Sequence, residues 1–202
     1  MLNLFARGHV NRVTDPVGRW LVDRGLSPDA ITVAGTVGAV ASAVGFLPWG
    51  GLVAGPLLIT AFVLLDLVDG AMARARGYGT PFGAVLDSTC DRIVDGALFA
   101  SLAWWCLGGG DERVAGAAAL VCLVGGQLVS YVKARAESVG LAAEGGLVER
   151  AERLILGLLG AFLAGVGVPY ALPVALGLLA AGTVVTLAQR VFAVRRSAAE
   201  RA

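Results

Sequence analysis

The chain has 202 residues, a formal net charge of +1 and one histidine. Hydrophobic residues make up 57% of it and charged residues 15%, whereas an average soluble protein is about 45–50% apolar with glycine included and about 25% charged. These figures exclude a disordered chain, a coiled coil, collagen, a disulfide scaffold and a basic nucleic-acid binder, and leave an integral membrane protein.

Residues 1–25 lack the continuous apolar core of a signal peptide, because Arg7, Arg12, Asp15, Arg19, Asp23 and Arg24 interrupt them. Val10, Val13, Val17, Trp20 and Leu21 recur at helical spacing. The pattern predicts an amphipathic juxtamembrane helix, lying in the membrane interface or against the protein's own cytosolic face. Residues 26–202 form the membrane domain. Six apolar stretches follow, near 29–49, 52–75, 81–107, 113–136, 147–166 and 170–194. Each is long enough to cross a hydrocarbon core of about 30 Å, which takes roughly 20 helical residues. Ser27 or Asp29 caps the first. The expected fold is therefore all-α, with six transmembrane helices after the juxtamembrane helix.

Basic residues orient it. The amino-terminal segment, the 74–76 link, the 133–153 link and the tail from Arg190 carry fourteen of the sixteen; Arg92 lies within the third stretch, and Arg113 stands alone on the other side. The positive-inside rule places both termini of this multi-pass cell-membrane protein in the cytoplasm. Cys90, Cys106 and Cys122 are widely spaced in apolar surroundings and read as buried packing residues.

Aspartates stand where they are expensive. One at mid-membrane costs about 2.5–3.5 kcal/mol on insertion scales. Asp66 and Asp69 close the second stretch, and Asp87 and Asp91 open the third. Spacings of three and four put each pair on one helix face, about equally far from the turn near Tyr78. Four carboxylates at one depth need protonation or cations between them. Oxygen donors without histidine favour Mg²⁺ or Mn²⁺ over Zn²⁺, and two such ions suit phosphoryl transfer. Gly70 and Gly83 leave room beside the carboxylates, and Arg74 is placed to bind a phosphate at the cytosolic mouth. The competing structural explanation is an ion-pair network with Arg92 or Arg74.

The segment reads D-x2-D-G-x2-A-R-x8-G-x3-D-x3-D, from Asp66 to Asp91. It resembles the motif of the CDP-alcohol phosphotransferase family at every position. LSPDAIT (26–32), FGAVLDSTCDR, SYVKARAE (130–137) and ERAERL (149–154) are similar to segments of its bacterial phosphatidylinositol phosphate synthases, except that Ala151 stands where relatives often have proline. The resemblance implies a homodimer with a cytosol-facing site. It implies transfer of the phosphatidyl group of CDP-diacylglycerol to inositol 1-phosphate, with release of CMP. By motif position, Asp66, Asp69 and Asp87 bind one metal ion, and Asp66, Asp87 and Asp91 the second. Asp91 is also the general base. Asp29, Ala30, Ile31, Thr32, Gly70, Arg74 and Thr80 contact the lipid donor.

The acceptor is less constrained. Lys133, the only lysine, can form with Arg153 and Arg190 a cationic pocket for the acceptor's phosphate, and the resemblance assigns these three that role. Asp95 continues the 87/91 face one turn deeper, to hydrogen-bond within the core or orient a ligand. The alternatives within the family are glycerol 3-phosphate as acceptor, or an ether-lipid donor. A cation-coupled transporter is the alternative from another class; the clustering of charge at one face and the lack of repeated broken spans count against it.

Overall fold

The structure is a computed structural model that describes residues 14–77 and 79–201, apart from the side chains of Asp66 and Leu67. Expectations for residues 1–13, the Asp66 carboxylate and Tyr78 lie outside the described residues. All regular structure among the described residues is helical: α1 (residues 14–23), α2 (Pro28–Phe46), α3 (Ala54–Val63), α4 (Asp66–Ala75), α5 (Pro81–Leu107), α6 (Arg113–Ser138), α7 (Arg150–Gly165) and α8 (Ala171–Ala199). A 3-10 turn, Leu47–Trp49, follows α2.

Four stretches are long and apolar enough to cross a membrane among the described residues: Pro28–Trp49, Ala54–Ala75, Arg113–Ser138 and Ala171–Ala199. Two expected spans have physical reasons to read differently. In its apolar part α5 carries Asp91, Arg92 and Asp95, and α7 has 16 residues with charge in its first turn. The chain is a membrane protein by this composition.

The chain divides into two compact units, Met1–Ser42 with Leu57–Val94, and Ala43–Pro56 with Asp95–Ala202. In the first, small residues allow close helix approach. A Cβ on Gly18 would stand 2.9 Å from the Ala71 backbone, so α1 lies directly on α4. One on Gly38 would stand 2.3 Å from the Phe62 ring, so α2 and α3 pack the same way. Lipid tails are as apolar as leucine, so such contacts, and not expulsion of water, hold membrane helices together. Val17 and Trp20 of α1 remain exposed, with the Arg24 guanidinium 3.7 Å from the Trp20 ring.

In the second unit α6 and α7 both pack on α8. Leu98, Phe99, Leu158, Ala161, Leu172 and Leu176 fill its core, together with Cys106 and Cys122. All three cysteines are buried and free, as expected. α1, α6 and α7 end alike. Leu26 donates to Leu21, Leu141 to Ala136 and Val168 to Leu163, each across a glycine with φ of +82, +77 and +90°. Glycine adopts that left-handed turn without a Cβ penalty.

Candidate active site

Two helices of the first unit begin in the same way. The Ser27 hydroxyl accepts the Ala30 N–H at 3.2 Å, with Pro28 opening α2. The Thr80 hydroxyl accepts the Gly83 N–H at 2.9 Å, with Pro81 opening α5. A hydroxyl cap followed by proline starts a helix cleanly, because proline lacks the N–H that would go unbonded there. Both starts line one cavity of about 380 Å³, closed on a further side by α4. The amino ends of α2 and α5 carry partial positive charge and unspent N–H groups. Two helix starts on one cavity favour an anion such as a diphosphate.

Asp29, Thr32, Asp69, Gly70, Thr80 and Asp87, all singled out in the sequence, line this cavity. Asp69 is 8% exposed, and its carboxylate accepts a hydrogen bond from the Thr32 hydroxyl. Thr32 thus ties α2 to α4, a contact that its expected role toward the lipid donor did not include. Gly83 also lines the cavity. A Cβ there would stand 3.0 Å from the Thr80 hydroxyl and 3.3 Å from the Asp29 carboxylate. Asp91 is half-buried on α5 and pairs with Arg92 at 3.5 Å. Part of the ion-pair explanation therefore holds for that residue.

Other expected donor contacts lie elsewhere. Ala30 lines a neighbouring apolar groove with Val33, Val37 and Phe82. Ile31 is half-buried on α2 and is not among the residues of the cavity. Arg74, its side chain 50% exposed, pairs with Asp15 of α1 at 3.0 Å. Arg76 lines the cavity instead, its guanidinium donating to the Leu26 carbonyl at 2.8 Å. The sequence reading counted Arg76 merely as a cytosolic charge; its place two residues after Arg74 was the available signal.

The second unit holds the expected acceptor residues. Arg153, on α7, is 2% exposed, and its Nη2 donates to Asp95 at 2.8 Å. Its Nε and Nη1 are buried without hydrogen-bond partners among the described residues. Arg150 stands 3.7 Å from the other Asp95 oxygen. Arg190, 5% exposed, is held at all three nitrogens: it donates to the Gly145 and Val129 carbonyls at 3.2 and 2.8 Å and to Glu149 at 3.1 Å. Glu149, which sequence reasoning passed over, is the N-cap of α7. Lys133 is exposed on α6.

Residues 26–194 match the family model described as CDP-alcohol phosphatidyltransferase. The chain belongs to that family. It is 50% identical to the phosphatidylinositol phosphate synthase of Streptomyces avermitilis, over 99% of this chain and 85% of that one. It is 48% identical to the synthase of the same name from Mycobacteroides abscessus, over 98% and 90%. The crystal structure of Mycobacterium tuberculosis phosphatidylinositol phosphate synthase with CDP-DAG bound superposes with a TM-score of 0.87 at 49% identity, covering 91% of this chain and 94% of that one. The same enzyme in complex with manganese and citrate gives 0.88 at 49% identity, covering 91% and 90%.

A divalent ion is thus implied, and the donor set fits one. Asp69 and Asp87, two of the four aspartates expected to bind metal, line the cavity, and carboxylate oxygens are the hard donors that Mg²⁺ and Mn²⁺ take. Among the described residues, no three His, Cys, Asp or Glu side chains gather closely enough to hold an ion. The Asp66 carboxylate is outside that description.

Proposed function

We propose that this protein transfers the phosphatidyl group of CDP-diacylglycerol to inositol 1-phosphate, giving phosphatidylinositol phosphate and CMP. The observation that carries this reading is the near-full-length identity of 50% to a synthase of that name. In this reading the diphosphate lies against the amino ends of α2 and α5, with Gly70, Thr80 and Arg76 beside it. Arg74 closes on the same group from the α1 side. Asp29, Ala30, Ile31 and Thr32 line the donor's path, Ala30 along the apolar groove.

Asp66, Asp69 and Asp87 would hold one divalent ion, and Asp66, Asp87 and Asp91 a second, either Mg²⁺ or Mn²⁺. The chemistry that such ions would supply when bound is neutralisation of phosphoryl oxygens and of the charge that develops on the departing CMP. The Thr32 hydroxyl fixes the Asp69 carboxylate and removes one of its rotational freedoms. Asp91 accepts the proton of the attacking inositol hydroxyl, a poor nucleophile until that proton is removed. Transfer is direct and in line, since the acceptor supplies the nucleophile.

The acceptor's own phosphate is bound by Lys133, Arg153 and Arg190. Two unspent buried nitrogens on Arg153 support this role, because buried N–H groups ordinarily have partners. Six spans after a juxtamembrane helix, residues 1–25 before a 26–202 membrane domain, cytoplasmic termini and a homodimer complete the proposal. Exposed Trp49, Trp104 and Tyr170 support the topology. They stand at the helix ends opposite the basic links, where an aromatic belt meets the far headgroups. The test is CMP release by the purified protein with inositol 1-phosphate, glycerol 3-phosphate or free inositol. Release with glycerol 3-phosphate in place of inositol 1-phosphate would move the assignment within the family.

A further inference from the structure

Asp95 is 6% exposed and lies on α5, four residues beyond Asp91. A carboxylate at such a place is costly without a partner. Its partner is Arg153, 2% exposed, through the 2.8 Å bond to Nη2. Arg150 approaches its other oxygen at 3.7 Å. One carboxylate therefore faces two of the cations in the first turn of α7. The pair is incomplete as a structural device. Arg153 keeps Nε and Nη1 buried and unpartnered, and the Asp95 oxygen that faces Arg150 accepts no hydrogen bond. Gly126 of α6 matters here as well. A Cβ on it would stand 3.1 Å from Nε and 3.4 Å from Cζ of Arg153, so any side chain at 126 displaces the guanidinium.

We infer that Asp95 is a positioning residue for acceptor binding. It clamps Arg153 by one nitrogen while Gly126 leaves room at the other edge. Nη1 of Arg153 is thereby left for the acceptor's phosphate. This rests on the acceptor-phosphate role given to Arg153 above. The chemistry follows from the guanidinium's rigid fork. Its donors serve two anions at once only when the first holds the plane in place for the second. Orientation by a partner that never touches the ligand is the same principle that second-layer carboxylates apply to metal-binding histidines.

The full chain in lipid, with CDP-diacylglycerol and inositol 1-phosphate as probes, tests this by steady-state CMP release. Asp95→Ala raises the acceptor KM roughly tenfold or more, the loss usual when an orienting group is removed. The donor KM and the kcat at saturating acceptor stay close to wild type. Asp95→Asn recovers part of the loss, because its amide oxygen still accepts the Nη2 hydrogen. Gly126→Ala, which disturbs Arg153 from the opposite edge, raises the acceptor KM in the same selective way. Asp95→Ala that lowers the acceptor KM would mean the carboxylate merely screens positive charge, and equal shifts in both KM values would mean a general structural role. Either result overturns the inference. If Asp95→Ala fails to fold, Gly126→Ala decides, and an unchanged acceptor KM overturns it. Arg153→Lys separates the two levels of the argument. If that variant leaves the acceptor KM untouched, the acceptor-phosphate reading itself fails. If it raises KM while Asp95→Ala and Gly126→Ala do not, the positioning role alone fails.

Discussion

Replacing Gly83 with alanine separates the cavity's role in donor binding from its role in helix stability. The added methyl stands 3.0 Å from the Thr80 hydroxyl and 3.3 Å from the Asp29 carboxylate. Both neighbours must give by a few tenths of an ångström. Crowding Thr80 weakens the cap of α5, a contact worth about 1 kcal/mol. Alanine in place of glycine within a helix returns about 0.8–1.0 kcal/mol. The two nearly cancel, so the melting temperature stays close to wild type. Donor binding has no such offset. A methyl forced into an already tight contact costs about 1–3 kcal/mol, and roughly 1.4 kcal/mol is a decade in affinity. The donor KM should therefore rise by roughly 5- to 140-fold with an unchanged acceptor KM. The assay is CMP release against CDP-diacylglycerol concentration, with thermal unfolding in the same detergent. A wild-type donor KM in a folded Gly83→Ala protein would refute the placement of the diphosphate at the amino ends of α2 and α5.

Asp91→Asn should abolish turnover while CDP-diacylglycerol still binds, as read by ligand-induced thermal stabilisation; binding lost in step with turnover would contradict the general-base role. Lys133→Ala should raise the acceptor KM far more than the lipid KM, and equal effects would remove Lys133 from the acceptor pocket. Arg190→Ala leaves Glu149 without its buried partner and two carbonyls without their donor. Glu149 is itself largely exposed, so the loss lies in the carbonyls, at about 1–3 kcal/mol for a buried group left unsatisfied, and a fall in melting temperature should accompany the loss of acceptor affinity. A stable Arg190→Ala protein would show that the three contacts contribute little.

Much of the fold was legible because membrane helices announce themselves by length and apolarity, and their ends by glycine, proline and hydroxyl residues. Ser27, an expected cap that precedes a proline, illustrates this; Thr80 caps α5 in the same way, although its expected role was only toward the lipid donor. The break between α3 and α4 was not legible. Residues 52–75 read as one apolar run, yet Leu65 donates to the Phe62 carbonyl at 3.1 Å, a tighter turn just before Asp66. Neither glycine nor proline marks it. The aspartates stood out because charge is rare in such helices. The partners of the arginines did not, because they depend on folding. Arg74 meets Asp15, Arg153 meets Asp95 and Arg190 meets Glu149, all far apart in sequence. Local spacing therefore identified the charged residues without saying which were paired. Arg76 was passed over for the same reason: two arginines in one link look alike until the chain folds.

The central claim is the reaction itself, and CMP release by the purified protein tests it most directly. CDP-diacylglycerol and Mg²⁺ are supplied with inositol 1-phosphate, glycerol 3-phosphate or free inositol in turn, and each reaction is repeated with EDTA. Release that requires both the metal and inositol 1-phosphate is the predicted result. A folded protein that releases no CMP with any of the three acceptors would contradict the account.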